Sequence, residues 1–166
     1  PQGYAVIASR IKEYDGRVNI IDVGSGTIDI LQLIDRKPQL SKCISLPMGI
    51  LTCIDEINKY FRMKYNTELD DYSIQSVLQM KTGDLPDDIV KEIQELIRDY
   101  IKKALAELEQ KGINFRFQKC CFCCGGSTVF QNYGELSGKN ISFLTDISGN
   151  AKGFEWLCKG MEKNGN

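Results

Sequence analysis

Asp22 and Asp29 lie seven residues apart and bracket a glycine turn in Asn19-Ile20-Ile21-Asp22-Val23-Gly24-Ser25-Gly26-Thr27-Ile28-Asp29-Ile30-Leu31. Two carboxylates so placed can orient a metal-bound water beside a phosphate. Mg²⁺ suits the arrangement, because it keeps much of its hydration and takes few carboxylates plus substrate phosphates. Gly24 and Gly26 let backbone N–H groups approach an anion without Cβ interference, and Ser25 and Thr27 add two hydroxyls. A second constellation, Gly125-Gly126-Ser127-Thr128, follows an apolar run and opens a helical pattern. Its amides suit a phosphate or ribose, and its missing side chains leave room for a flat ring. Taken singly, each turn has a plainer reading, as a hairpin closure with aspartates on turn amides or as a tight strand-to-helix turn. Their joint occurrence is what directs attention to one ligand.

The elements that must position these turns are legible from periodicity. Residues Pro1 to about Glu13 read as a helix with Tyr4, Val6, Ile7 and Ile11 on one face, broken at Asp15-Gly16. Three strand-like segments follow, about Val18–Val23, Thr27–Ile34 and Gln39–Leu46, with Asp35-Arg36-Lys37-Pro38 as a turn, which predicts an antiparallel meander. Ile50, Ile54, Ile57 and Phe61 recur at helix spacing, and a shorter helix is expected around Tyr72–Met80 between the breaks Asn66-Thr67 and Thr82-Gly83. The longest helix should run from near Pro86 to Gln110, with Asp87 and Asp88 at its positive end and Gly112 as its stop. Then come a strand over Phe115–Cys124, a short helix over Ser127–Tyr133, a strand over Ile141–Leu144 and a closing helix over Ala151–Met161. The expected fold is α/β, a mixed five-stranded sheet with helices on both faces.

A chain of 166 residues is the size of one ordinary domain. Its 21 Lys and Arg nearly balance 22 Asp and Glu, and the charges are interspersed, which argues against direct nucleic-acid binding and against a membrane surface. Apolar runs fall short of a bilayer span, and the opening Pro1-Gln2-Gly3-Tyr4 is not a secretory leader, so the expected location is cytoplasmic. The absence of an initiator Met suggests a processed chain or an excised piece. Seven cysteines, an odd count, fit a reducing compartment. Four of them fall in Cys120-Cys121-Phe122-Cys123-Cys124, where a strand would send alternate thiols to opposite faces. A buried strand of small apolar thiols is therefore expected there, not a zinc site.

Asp22-Val23-Gly24-Ser25-Gly26-Thr27-Ile28-Asp29 resembles the second phosphate motif of the actin, heat-shock chaperone and sugar-kinase ATPase superfamily. Cys124-Gly125-Gly126-Ser127-Thr128 resembles its adenosine motif, in the family's order and separated by helices. Pro1-Gln2-Gly3-Tyr4-Ala5-Val6 is similar to the small-residue helix before the second phosphate motif, and Met48-Gly49 to the glycine after the third strand. Within the superfamily the chain looks most like the ParM and StbA type that segregates plasmids. The short helical insertion at about 64–85 and an Asn150-Ala151-Lys152-Gly153 element carry that likeness.

The resemblance implies a ribonuclease H-like half of an actin-like ATPase, residues 1–166 forming the second, C-terminal domain. It implies ATP in a cleft between two halves, with Asp22 and Asp29 on Mg²⁺ and its water, and Asp22 and Thr27 in catalytic roles. Gly24, Ser25, Gly26 and Thr27 would face the β- and γ-phosphates, with Gly49 on the phosphate side. Gly125, Gly126 and Ser127 would face adenosine, and Gln79 or Lys81 the adenine. A complete member begins with another domain carrying a first phosphate loop, whereas this sequence starts at the helix before the second motif. Alone it is expected to bind ATP weakly and hydrolyse little, because one side of the phosphates stays open to water. The complete protein would form filaments for plasmid or replicon segregation, with a DNA-bound adaptor as partner.

Other readings stand beside this one. Cell-shape, pilus-assembly and small-kinase members share the fold, and a non-catalytic interaction module could keep it without turnover. A ribonuclease H-like nuclease shares the strand order, but a two-metal nuclease brings further carboxylates to the sheet edge. The strand leading to Gly125-Gly126 is instead apolar and thiol-rich.

Overall fold

In a computed structural model the chain is described at residues 7, 10–81 and 83–145. The expected closing helix, Trp156, the Asn150–Gly153 element and most of the opening helix lie outside the described residues. Ile7 is helical, and a short 3₁₀ turn follows at Ile11–Glu13.

β1 (Arg17–Val23) and β2 (Ile28–Ile34) form the central hairpin, with Asp22 opposite Asp29 and Val23 opposite Ile28. The next turn is tighter than predicted. Asp35 and Arg36 both take positive φ, 46° and 69°, as a two-residue mirror-image turn requires. The chain therefore pairs again at once, as β3 (Lys37–Pro38). One more ladder bond follows, the Gln39 amide donating to the Gln32 carbonyl at 2.9 Å, before the chain turns away. β3 thus lies on residues expected to be turn, while the expected strand Gln39–Leu46 begins with a 3₁₀ turn at Leu40–Lys42 and is strand only at β4 (Ile44–Leu46), which rejoins β2 opposite Ile28–Ile30. The added β3 turns the expected five strands into a six-stranded mixed sheet, ordered β3-β2-β1-β5-β6 with β4 also on β2.

The helices are α1 (Ile50–Tyr65), α2 (Asp71–Leu78), α3 (Asp87–Gln110) and α4 (Ser127–Tyr133). α1 ends at Asn66 in the left-handed conformation, and α3 is stopped by Gly112 at φ 91°. Parallel strands β5 (Lys119–Cys123) and β6 (Ile141–Leu144) extend the sheet from β1. β5 is shorter than the expected Phe115–Cys124. The Asn114 side-chain oxygen accepts from the amides of Arg116 and Phe117 at 3.0 and 3.1 Å, which folds this stretch into a turn and leaves Phe117 exposed.

The alternation of each strand divides the core. Ile21, Val23, Ile28, Ile30, Cys120 and Phe122 face the four helices, while Val18, Ile20, Leu31, Leu33, Cys121 and Cys123 face the other way, onto Ile7, Ile11 and Tyr14. Phe122 is the hub of the helical side, its ring 5.2 to 6.0 Å from those of Phe115, Phe130 and Phe143. Among the described residues, the α-helices of more than one turn all lie on that side. None is long and apolar enough to cross a membrane.

Candidate functional site

The β1–β2 turn is anchored from beneath by α1. Gly24 donates its amide to the Thr27 carbonyl at 2.9 Å, closing the hairpin. The first amides of α1 then take up the turn's other carbonyls: Gly49 to Gly26 at 3.1 Å, Ile50 to Gly24 at 3.2 Å and Leu51 to Ser25 at 2.8 Å. These amides at a helix start have no intrahelical acceptor, and the turn supplies one for each. Contact this close needs glycine at 49, because a Cβ there would lie 2.2 Å from the Ser25 carbonyl oxygen. Tyr100, buried on α3, donates its hydroxyl to the Gly49 carbonyl at 2.9 Å and fixes the joint from the core. The carbonyls of the turn are thus occupied. Among the described residues no hydrogen bond takes up the amides of Ser25 and Gly26.

The second glycine turn reaches the first through Val23. Gly126 donates its amide to the Val23 carbonyl at 3.1 Å, and a Cβ on Gly126 would lie 2.4 Å from Val23 Cγ1 and 2.8 Å from Ile50 Cγ1. A hydrogen in place of a side chain is what lets β1, α1 and the start of α4 meet at one point. Gly125, one residue earlier, is exposed with nothing within 4 Å of a Cβ.

Between the two turns lies a cavity of about 660 Å³. Asp22, Gly24 and Ser25 line it from the hairpin, Cys124, Gly125, Gly126 and Thr128 from the second turn, and Gln75, Gln79 and Lys81 from α2 and its end. Ile50, Leu51, Ile54, Leu78 and Val129 give it an apolar floor. Asp22 and Lys81 are the charged residues on its wall. A pocket of this size, mostly apolar with a few polar groups converging on it, has the ordinary form of a small-molecule site.

Several predicted site residues sit elsewhere. Gly26 and Thr27 on the turn and Asp29 on β2 are not on the cavity wall, and the Thr27 hydroxyl donates to the Asp29 carboxylate at 2.9 Å. Gly49 stands behind the turn with its amide given to Gly26. Ser127 is fully buried, and its hydroxyl donates to the carbonyls of Cys124 at 2.6 Å and Leu144 at 3.2 Å, tying the ends of β5 and β6 together.

Burial holds the Asp22 carboxyl above the ordinary carboxylate range; the Cys124 side chain opposes that shift by hydrogen bonding, and the charge of Asp29 adds to it. The Cys123 thiol is held up by its hydrogen bond with Cys124 and by burial. Cys123 and Cys124, which the sequence reading assigned to packing, present their sulfurs together with the Asp22 carboxylate, the three ligand atoms within 4.8 Å of one another. Strand alternation hid this grouping, because it ends at Cys124, where φ is 70°. Tyr100 carried no signal beyond helix periodicity.

A family model described as "Archaeal actin homologue MreB-like, C-terminal" matches residues 20–133. No curated protein sequence matches the chain. Among solved structures, the archaeal actin homolog Ta0583 in complex with ADP aligns at TM-score 0.68 and 19% identity, over 96% of this chain and 56% of that one. MreB5 of Spiroplasma citri bound to ADP aligns at TM-score 0.73 and 16% identity, over 98% of this chain and 60% of that one. A ParM filament from Clostridium botulinum aligns at TM-score 0.73 and 18% identity, over 96% of this chain and 52% of that one. At these identities the likeness is one of fold. The chain spans a little over half the length of the archaeal actin homolog.

Proposed function

Because the chain belongs to the family of archaeal MreB-like actin homologues, whose C-terminal model matches residues 20–133, we propose that it is the nucleotide-binding second half of an actin-like ATPase. In this reading ATP lies between the two glycine turns. The observation that carries it is the single cavity lined by Gly24 and Ser25 on one side and Gly125 and Gly126 on the other. The Ser25 and Gly26 amides face the β- and γ-phosphates, Gly125 and Gly126 take the adenosine, and Gln79 and Lys81 lie toward the adenine. Gly49 serves the phosphates through the turn it supports. Asp22 and Asp29, directly opposite each other on neighbouring strands, are the carboxylates that would hold hydrated Mg²⁺, which neutralises phosphate charge when bound. Thr27 fixes Asp29 by its hydrogen bond. Phosphoryl transfer of this kind is positioning plus electrostatic stabilisation, so these groups contribute to rate by being held in place.

Filament assembly by the complete protein follows from the same reading and is supported by the ParM and Alp12 filament structures of this fold. The role we favour is plasmid or replicon segregation in the cytoplasm, with a DNA-bound adaptor as partner. Cell-shape scaffolding is the second reading, and the MreB-like family match favours it. The nucleotide claim is tested by the melting temperature of the chain with and without Mg-ATP. Saturation at a hundredfold over Kd adds about 2.7 kcal/mol, or about 5–10 °C for a domain of this size. A melting temperature unmoved by Mg-ATP would count against it.

A further inference from the structure

Two adjacent cysteines at the end of a strand should point to opposite faces of the sheet. Cys123 does follow the alternation of β5 and faces the same side as Asp22, its register partner on β1. Cys124 breaks it. Its φ of 70° turns the backbone left-handed, a conformation that non-glycine residues rarely adopt. The consequence is that both sulfurs and the Asp22 carboxylate converge, with ligand atoms within 4.8 Å of one another.

We propose that Asp22, Cys123 and Cys124 form a binding site for a thiophilic divalent cation, Zn²⁺ being the best match, in the wall of the cavity between the two glycine turns. A tetrahedral zinc ion with sulfurs at about 2.3 Å holds them roughly 3.8 Å apart, so the cluster needs only a small contraction. Two sulfurs and one carboxylate oxygen select zinc over Mg²⁺ or Ca²⁺, which take oxygen ligands. Three protein donors leave a fourth position. Asp22 and Cys124 both line the cavity, so that position opens where a solvent molecule or ligand oxygen can reach it and where the cation can enter. A further consequence rests on the nucleotide reading: Asp22 cannot serve zinc and hydrated Mg²⁺ together, so zinc and Mg-ATP should exclude each other.

The test is a titration of the reduced 166-residue chain with Co²⁺, which reports thiolate ligation by charge-transfer absorption. One Co²⁺ per chain, with a charge-transfer band that Zn²⁺ displaces, is expected. Cys124→Ala and Cys123→Ser should each abolish the band, while Cys43→Ser, at an exposed thiol outside the cluster, should leave it unchanged. Absence of the band in folded wild-type chain, or its survival in Cys124→Ala, would overturn the proposal. Cys123 is fully buried and Cys124 only partly so, so if Cys123→Ser loses its cooperative melt, Cys124→Ala decides. A separate arm adds Mg-ATP to the cobalt-loaded chain. A band that Mg-ATP bleaches supports both readings, whereas a band that persists at saturating Mg-ATP leaves the cation site standing and counts against Mg²⁺ on Asp22.

Discussion

Asp22 and Asp29 are direct partners across the β1–β2 ladder, yet Asp22 is buried and Asp29 is exposed. Burial raises the Asp22 pKa first, and the neighbouring Asp29 charge adds to it. The folded chain therefore holds that proton more tightly than the unfolded chain does. Its stabilising contribution is present below the unfolded carboxyl pKa and is lost as pH rises through the raised folded value. Asp22→Asn keeps the shape and escapes that loss. Its melting temperature should exceed wild type at neutral pH, with the gain shrinking on acidification, while Mg-ATP affinity falls. Calorimetry across the carboxyl titration range checks the first expectation, and nucleotide titration the second.

The glycines should separate into two classes. Gly49→Ala drives a Cβ to 2.2 Å from the Ser25 carbonyl oxygen, and Gly126→Val meets Val23 and Ile50. Each is expected to cost about 1–3 kcal/mol by overpacking, read as a fall in Tm of roughly 2–12 °C. Gly125→Ala has open space around it. It should melt within about 2 °C of wild type and act on nucleotide affinity alone.

Tyr100→Phe removes the buried hydroxyl that holds the Gly49 carbonyl. The Cys53 amide still donates to that carbonyl at 3.4 Å, so the loss of the one hydrogen bond should cost about 0.5–1.5 kcal/mol, measured by chemical denaturation. Amide exchange at Leu51, which donates to Ser25, should quicken if the joint loosens.

Asp70 caps α2, its carboxylate accepting the Ser73 amide at 2.9 Å. Asp70→Ala is expected to lose about 1 kcal/mol. Because α2 carries Gln75 and leads to Gln79 and Lys81 on the cavity wall, the same change should weaken nucleotide binding without touching either glycine turn.

How much of this could be read in advance depended on whether the signal was periodic. Ile50, Ile54, Ile57 and Phe61 lie on one helical face, and α1 formed where they recur. Ser127–Tyr133 and Ile141–Leu144 took their expected bounds, and the family match and fold neighbours agree with the actin-like resemblance. The third strand did not come out whole, because Asp35 and Arg36 accept positive φ without glycine, so the chain pairs early at Lys37–Pro38 and then winds into a 3₁₀ turn at Leu40–Lys42. At the cavity, the glycine turns announced themselves by composition. The amides of α1 spent on the first turn, and the sulfurs gathered beside Asp22, arise from long-range packing and one left-handed cysteine. No local pattern marks either.

The most direct test of a nucleotide between the two glycine turns is isothermal titration of the chain with Mg-ATP, run in parallel on Asp22→Asn and Gly125→Val. The expected result is saturable binding by wild type and at least about tenfold weaker binding by both variants, a loss of about 1.4 kcal/mol or more. Equal affinity in all three, or no saturable heat from a wild-type chain that melts cooperatively, would contradict it.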